Sequence, residues 1–302
     1  NDISIYTDLQ LRNIDYQITG STSNIDQLVV DKKYSFFNPK AGLNYDINQK
    51  NKIYFYLSKA HREPTRSDFE NNINIQPEEL IDYELGWKYN TEKFFFNSNL
   101  YYMSYKNQLV LTGALDDVGS PIRENSGKSY RTGIELESVY KATNKLNISA
   151  NISFSENKNV DYKTNYNGII KDWGDTDISF SPNVISSAGI QFSASEDLTF
   201  TLLNKFVGNQ YMSNTESNIS KLSSYSTTDL NILYTIKNSA YFSEIIFTAM
   251  INNIFNKEYV SNGYYYTYDD TWSDPNLITT IEGTGYYPQA MRNFLLGLTL
   301  RL

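Results

Sequence analysis

The chain has 302 residues, a net charge of −8, no Cys, one His and 26 Tyr. The acidic balance argues against nucleic acid as a partner, because phosphate binding needs a basic surface. Without Cys there is no disulfide framework and no thiolate metal site. No stretch is apolar and long enough for a helical membrane span, but a mean hydropathy of −0.49 leaves a membrane barrel open, since lumen residues dilute its apolar residues one to one.

Alternation of apolar and polar residues predicts twelve strands. A period of two gives a strand two different faces; in residues 144–157, for example, Ile148 and Ile152 alternate with Asn147 and Asn151. Several segments exceed ten residues, which is long for a globular strand and suits a tilted membrane crossing. In chain order the segments cover 3–16, 34–46, 52–60, 79–89, 93–109, 126–141, 145–156, 182–193, 197–208, 223–236, 243–257 and 290–302.

The connections between these strands are alternately short and long. Short polar turns are expected at 46–51, 90–93, 141–145, 195–197 and 237–241, and long connections at about 17–33, 61–78, 110–125, 157–181, 209–222 and 258–289. Outer-membrane barrels have short periplasmic turns and long outer loops. A soluble β-sandwich or β-solenoid also shows alternating strands, but it has no need for this regular order of loops. The pattern therefore favours an all-β, antiparallel transmembrane β-barrel.

The last segment, "MRNFLLGLTLRL", ends in an apolar ladder that reaches the final residue, Leu302. Such a ladder resembles the assembly signal of bacterial outer-membrane proteins. The chain as a whole resembles the C-terminal part of a TonB-dependent outer-membrane receptor. The resemblance is carried by "NPKAGLNYDI" from Asn38, "SKAHREPTRSDFE" from Ser58, "PEELIDYELGWKY" from Pro77, "NLYYMSYKNQLVLTG" from Asn99, "SYRTGIELE" from Ser129, "NNIFNKEY" from Asn252 and "YYPQAMRNFLLGLTLRL" from Tyr286.

The resemblance implies a 22-stranded barrel whose lumen holds a plug. Residues 1–302 would then form strands 11 to 22, and the plug and first ten strands would lie outside this chain. It also implies a bacterial outer-membrane location and energy-coupled uptake of a scarce, bulky nutrient. The leading candidate for that nutrient is a ferric siderophore or other iron complex. Cobalamin, haem or an oligosaccharide are alternatives. The implied partners are outer-membrane lipid, the TonB complex acting through the plug, a small-molecule or metal-chelate ligand, and a surface lipoprotein.

The loop at 258–289 is the richest candidate for ligand contact, because it combines aromatic stacking faces with carboxylates. "KDWGDTDISFSP" from Lys171 is a similar, weaker case, and both have a self-packed outer loop as the alternative. An Asp cluster can hold Ca²⁺, but the spacing is not that of an EF-hand. The candidate substrate-binding residues are Tyr264, Tyr265, Tyr266, Tyr268, Asp269, Asp270, Trp272 and Trp173.

His61, in "KAHREPTRSDFE", is the other candidate for catalysis or metal binding. Imidazole is an iron ligand and a catalytic base, but a lone His with nothing at motif spacing favours an ordinary structural role. We therefore predict no catalytic residue, no metal site and no cofactor. Alternatives from other classes are a self-contained 12-stranded passive channel, an outer-membrane hydrolase and a soluble adhesin.

Overall fold

The structure, a computed structural model, describes residues 2–21, 25–116, 119–237 and 241–302. A six-residue α-helix, α1 (Arg66–Asn71), and a 3-10 turn at Asn218–Ser220 are its described helical elements, and neither is long and apolar enough to cross a membrane. The described strands are β1 (Ile3–Gly20), β2 (Leu28–Asn48), β3 (Asn51–Arg62), β4 (Glu78–Asn90), β5 (Phe94–Lys106), β6 (Leu109–Leu115), β7 (Pro121–Asn125), β8 (Lys128–Thr143), β9 (Leu146–Tyr166), β10 (Ile169–Asp177), β11 (Val184–Ser193), β12 (Leu198–Val207), β13 (Gln210–Tyr211), β14 (Lys221–Leu222), β15 (Tyr225–Lys237), β16 (Glu244–Asn252), β17 (Val260–Asp270), β18 (Thr279–Pro288) and β19 (Asn293–Arg301).

One antiparallel sheet carries the fold. Its order is β1-β2-β3-β4-β5-β8-β9-β11-β12-β15-β16-β19, with β10 added beside the outer part of β9. Each of the twelve predicted strands coincides with one strand of this path, so the predicted antiparallel fold is confirmed. The sheet is open, because β1 and β19 pair with one neighbour each.

The short turns lie at one end of the sheet, the short-turn end, and the remaining hairpins at the other, the long-loop end. The turns predicted at 46–51, 90–93, 141–145 and 195–197 join successive strands as expected. The fifth, at 237–241, falls largely outside the described residues.

Three strands run further toward the long-loop end than the alternation predicted. β1 continues to Gly20, β2 begins at Leu28, and β9 continues to Tyr166 instead of ending near residue 156. The segment from residue 156 to Tyr166 reads "ENKNVDYKTNY" and is polar on both faces. Beyond the membrane this stretch packs among the outer hairpins, where Asn159 and Tyr162 are buried with polar partners. It therefore lacks the contrast between lipid and lumen from which strands are recognised.

The two faces of the sheet differ in chemistry. One face presents apolar side chains to the surroundings, with Ile5 and Leu11 exposed at 74% and 76%. The other face is polar and internally bonded: the amide of Asn151 donates to the Ser187 hydroxyl at 2.8 Å, and the amide of Asn99 donates to Glu84 at 3.1 Å. An apolar outer face and a polar inner face are what a membrane barrel requires.

Tyrosine rings on the polar face lie flat over glycines of adjacent strands. A Cβ added to Gly86 would fall 2.0 Å from the Tyr54 ring, and one added to Gly42 would fall 2.2 Å from the Tyr56 ring. Tyr54 also lies beneath the ammonium group of Lys88, 5.1 Å from its ring centroid. Aromatic rings that cover strand glycines help to fix sheet register.

The described apolar clusters lie at the long-loop end, because the sheet itself has no apolar interior. One cluster joins Leu28 and Val30 of β2 to Phe69 of α1, with Ile75 and Leu109 beside them. The other consists of Met212, Leu222 and Tyr265, with Phe180 and Val260 packed against it. The outer hairpins are therefore packed layers rather than separate loops.

Substitution of neighbouring residues on β9 should distinguish the two faces. Ile152 is six positions from the start of β9 at Leu146, which places it near the bilayer midplane at about 3.3 Å per residue and a tilt of about 40°. Ile152→Arg should cost roughly 2 to 4 kcal/mol of insertion free energy, whereas Asn151→Arg should be tolerated. Outer-membrane levels and heat-modifiable migration measure this, and equal losses for both variants would contradict the assignment of faces.

The open edges of β1 and β19 predict the behaviour of the isolated chain. Each unpaired backbone group in lipid costs several kcal/mol, so residues 1–302 alone should not refold into a closed, protease-resistant monomer in detergent. Cysteine cross-linking between β1 and β19 measures closure. A heat-modifiable monomer with these two strands cross-linked would contradict the expectation.

Candidate functional site

Strand alternation sorts the aromatic residues of the β17–β18 hairpin into two sets. Tyr264 and Tyr266 stack with centroids 6.3 Å apart, and Tyr268 stacks on Trp272 at 6.1 Å with the rings nearly parallel. Trp272 is 70% exposed. Tyr265 points the other way and is 5% exposed. The first four residues therefore form an exposed aromatic row, whereas Tyr265 belongs to the packing beneath it.

Glycines in β18 make the aromatic row flat. Gly285 and Gly283 lie directly opposite Tyr264 and Tyr266 in the register. A Cβ at Gly283 would come within 2.4 Å of the Tyr266 ring, and one at Gly285 within 2.2 Å of the Tyr264 ring. The two rings rest on bare backbone, and Tyr266 remains 43% exposed, whereas Tyr264 also lies against the Tyr287 ring at 6.0 Å.

The predicted acidic residues, Asp269 and Asp270, form hydrogen bonds within the β17–β18 hairpin. Asp269 accepts a hydrogen bond from the Thr280 hydroxyl at 2.7 Å. Asp270 accepts bonds from the backbone N–H groups of Trp272 and Ser273 at 3.1 and 3.0 Å. Hydrogen bonds from Ser273 lower the pKa of the Asp270 carboxyl. These carboxylates orient the turn that presents Trp272.

Tyr265 is held in place by a carboxylate from β18. Its hydroxyl donates to Glu282 at 2.9 Å, and Ser217 donates to the other oxygen of Glu282 at 2.8 Å. Burial, and then the neighbouring Glu282, raise the pKa of the Tyr265 hydroxyl, so it remains a neutral donor. This anchor fixes the hairpin to the segment around Ser217.

Trp173 lies in β10, within a second aromatic group. Its indole N–H donates to Thr164 at 3.1 Å, and its ring meets Tyr166 edge-on at 5.3 Å. The ammonium group of Lys171 lies 3.5 Å from the Trp173 ring centroid and 4.7 Å from that of Tyr166. A cation so close to two aromatic faces is held by cation–π attraction.

The tips of the β9–β10 and β17–β18 hairpins are joined by a reciprocal pair of hydrogen bonds. The backbone N–H of Asn167 donates to the Thr280 hydroxyl, and that of Thr280 donates to the Asn167 side chain, both at 2.7 Å. Asn167 and Gly168 have φ of 53° and 75°, as a two-residue hairpin turn of type I′ demands. The site predicted at Trp173 and the one predicted at Tyr264–Trp272 are thus neighbouring parts of one surface.

Beneath this surface the hairpins share a polar interior. Asn159 is fully buried and donates to Asn214 at 3.2 Å, and Asn214 donates to the Leu111 carbonyl at 2.9 Å. The Tyr162 hydroxyl donates to Glu124 of β7 in a short hydrogen bond. Burial raises the pKa of both the Glu124 carboxyl and the Tyr162 hydroxyl. This network ties β7, β9 and the segment before Ser217 together.

A cavity of about 470 Å³ lies between the β6–β7 and β17–β18 hairpins. It is lined by Leu111, Gly113, Pro121, Phe180, Asn262 and Tyr287. An apolar recess with a few polar groups is the usual form of a small-molecule site. Among the described residues, no group of three His, Cys, Asp or Glu side chains is arranged to hold a metal ion.

His61 has contacts at both ring nitrogens. Nδ1 lies 2.8 Å from the Asn38 side-chain oxygen, Nε2 lies 3.3 Å from Glu79, and the ring stacks on Phe36 at 4.9 Å. Neither nitrogen is directed at a hydroxyl nucleophile in these contacts. The arrangement is that of a structural histidine at the end of β3.

The fold and these surfaces agree with a comparison against known families. The family profile described as "TonB dependent receptor-like, beta-barrel" matches residues 7–254. The chain belongs to the TonB-dependent receptor family. Members of this family are outer-membrane β-barrel proteins, which places the long-loop end outside the cell and the short-turn end in the periplasm. No curated protein sequence matches the chain.

Solved structures of TonB-dependent receptors share the fold at low sequence identity. The siderophore receptor PiuA from Acinetobacter baumannii aligns with a TM-score of 0.73 at 16% identity, over 98% of this chain and 40% of PiuA. The ferric citrate transporter FecA gives 0.69 at 16%, over 98% and 42%. The ferric yersiniabactin uptake receptor FyuA from Yersinia pestis gives 0.66 at 16%, over 98% and 42%. The chain thus spans about two fifths of the length of these receptors.

Several site residues of this receptor barrel were not predicted from the sequence. The sequence pattern could have indicated Gly283 and Gly285, because glycines two positions apart lie opposite tyrosines that are also two positions apart. It could also have indicated Asn167-Gly168, since Asn-Gly between strand segments marks a tight hairpin. It could not have indicated Glu124 and Tyr162, because they are 38 residues apart and lie in polar surroundings.

The half-buried Glu124, which accepts a hydrogen bond from Tyr162, predicts a pH dependence of the outer hairpins. Its folded-state pKa is raised, so its stabilising contribution is complete below the unfolded-state pKa and is lost as the pH rises through the folded-state pKa. Protease resistance of the outer hairpins in the full-length receptor should therefore decrease with rising pH. Glu124→Gln, which stays neutral, should flatten that profile, whereas Glu196→Gln, in a periplasmic turn, should leave it unchanged. Superimposable profiles for Glu124→Gln and the parent would contradict the assignment.

Proposed function

We propose that residues 1–302 form strands 11 to 22 of a TonB-dependent receptor that imports a scarce, bulky nutrient. The leading candidate for this cargo is a ferric siderophore or other iron complex. The open edges of β1 and β19 support a longer barrel, since both would pair with further strands. The aligned receptors support the cargo class, because their names refer to a siderophore, ferric citrate and ferric yersiniabactin.

The exposed aromatic row carries the ligand-binding proposal. Tyr264, Tyr266, Tyr268 and Trp272 present contiguous faces on the outer side, and their glycine support and Asp270 turn fix the rings before ligand arrives. Preorganised rings bind at low entropic cost. A bulky cargo would meet this row and the cavity beside it before it enters the lumen.

The polar inner face supports coupling to TonB through a plug outside this chain. Its charged residues are of mixed sign and include Asp8, Arg12, Lys40, Asp82, Glu84, Lys88, Arg131, Glu135 and Glu137. Hydrogen bonds and ion pairs in a wet lumen are individually weak, so a plug held by them is released by modest force. An uptake route opened by such a release suits energy-coupled import.

Cobalamin and an oligosaccharide are alternative cargoes that also stack on aromatic faces. Haem is less well supported, because both nitrogens of His61 are engaged by Asn38 and Glu79. The same contacts weigh against a hydrolase. A surface lipoprotein is a further proposed partner, and the exposed Ile169 and Ile170 of β10 supply apolar contact for it.

Replacement of the exposed aromatic residues tests the proposal. Tyr268→Ala/Trp272→Ala in the full-length receptor should weaken cargo binding at least about tenfold, because one aromatic stack is worth about 1 to 3 kcal/mol. Tyr241→Ala removes another exposed tyrosine, at the periplasmic end; it is the control and should have no effect. Binding and uptake of labelled ferric siderophores, haem and cobalamin are measured in cells with equal surface levels.

Two outcomes of this experiment bear on different parts of the proposal. Uptake of any of these cargoes that persists without TonB would contradict energy-coupled import and favour a passive channel. Binding and uptake unchanged in the double variant would contradict the role of the aromatic row while leaving the transport class intact.

A further inference from the structure

Two lysines face each other across neighbouring strands near the outer rim. Lys106 ends β5 and Lys128 begins β8, and the register places them directly opposite. Like charges at directly opposite positions destabilise an antiparallel pair. Both side chains are exposed. A sequence under no other constraint would avoid this arrangement.

Neighbouring carboxylates do not neutralise the pair. Within the described ranges, no Asp or Glu oxygen lies within ion-pair distance of either ammonium group. Glu79 stands opposite Lys106 on β4, but its carboxylate lies 3.2 Å from Lys59 and 3.3 Å from His61. The Lys106–Lys128 pair thus keeps an uncompensated positive charge.

The pair lies on the lipid-facing side of the barrel. In the same register, Leu100 opposite Ile134 and Tyr102 opposite Thr132 share its face, and Leu100 is half exposed. Tyr102 stacks with Tyr130 at 6.2 Å. From the membrane interior outward, this face is apolar, then aromatic, then cationic.

The height of Lys106 matches the head-group level of the outer leaflet. It is twelve positions beyond Phe94, at the periplasmic end of β5. At about 3.3 Å per residue and a tilt of about 40°, Lys106 lies about 30 Å above that end. The apolar band of such barrels is about 25 Å tall, so the ammonium groups lie just outside it.

A groove connects the lysines to the apolar face. It has a volume of about 470 Å³ and is lined in part by Glu79, Ile81, Tyr102, Ser104, Lys106, Lys128 and Tyr130. The Glu79 carboxylate in this lining is the one held by Lys59 and His61. The cationic rim suits a doubly charged phosphate, the Ser104 hydroxyl can donate to its oxygens, and Ile81 and Tyr102 suit a hydrocarbon chain below. These parts match an amphiphile better than a free anion.

We propose that this groove binds the phosphorylated head group of an outer-leaflet amphiphile. Lys106 and Lys128 bracket the phosphate, which removes their mutual repulsion and links β5 to β8 at the rim. The acyl chain lies along Ile81 and Tyr102 toward Leu100. The lipid site is separate from the aromatic row and does not depend on which cargo the receptor imports.

Lipid retention by the full-length receptor tests the site. The receptor is placed in phosphatidylcholine nanodiscs that contain either dioleoyl phosphatidate or the uncharged dioleoylglycerol, and retained lipid is counted by native mass spectrometry after release. Lys106→Gln/Lys128→Gln should retain phosphatidate roughly 10- to 30-fold less than the parent. Dioleoylglycerol retention should be the same for both.

Two further variants separate the groove from general surface charge. Lys33→Gln removes another exposed lysine at the outer end, whose ammonium group lies 3.6 Å from Asp15, and should leave retention unchanged. Lys106→Arg/Lys128→Arg keeps the charges and should keep the lipid. Because Gln removes repulsion, the double Gln variant should assemble as well as the parent, as heat-modifiable migration reports.

The proposal is overturned if the double Gln variant and the parent retain phosphatidate equally. It is also overturned if Lys33→Gln loses as much lipid as the double Gln variant, which would indicate diffuse attraction to the membrane. Displacement of the lipid by inorganic phosphate would make the groove a free-anion site and contradict the choice of an amphiphile.

Discussion

Every backbone N–H and C=O group within a bilayer must find a partner inside the protein, and the rest of this structure depends on that constraint. Within the sheet it is met by antiparallel pairing of each long strand with the next one on the path from β1 to β19, with register shifts only near the short turns at Asp46–Asn48 and Lys141–Thr143. Once pairing is satisfied by the sheet, the side chains are free to differ on the two faces. The apolar and polar faces follow from the media they meet.

A barrel built in this way has no apolar interior, so its outer hairpins need packing of their own. Phe69 of α1 and Met212 are fully buried within small apolar clusters at the long-loop end. Tyr265, Glu282 and Ser217 then join the β17–β18 hairpin to this layer. The aromatic row is consequently presented by a supported surface.

The strand path could be predicted from the sequence because lipid and lumen impose a period of two that is visible residue by residue. The prediction failed where that contrast is absent. From residue 156 to Tyr166 the strand packs among the outer hairpins, with Asn159 and Tyr162 buried, and shows no alternation imposed by lipid and lumen. The same limit applied to the site. Tyr264, Tyr266 and Tyr268 were identifiable as a group, but the burial of Tyr265 depends on β18 and on Ser217, and Lys106 facing Lys128 depends on the register of β5 and β8.

The joined hairpin tips have a consequence for how the outer surface opens. Asn167 and Thr280 are 113 residues apart in sequence, yet each protects the other's backbone amide. Neither amide can be released without weakening the partner bond, so the two amides should have the same protection factor against exchange with solvent. Equal protection would report, from two distant peptides, a single opening event in which the tips separate as one cooperative unit.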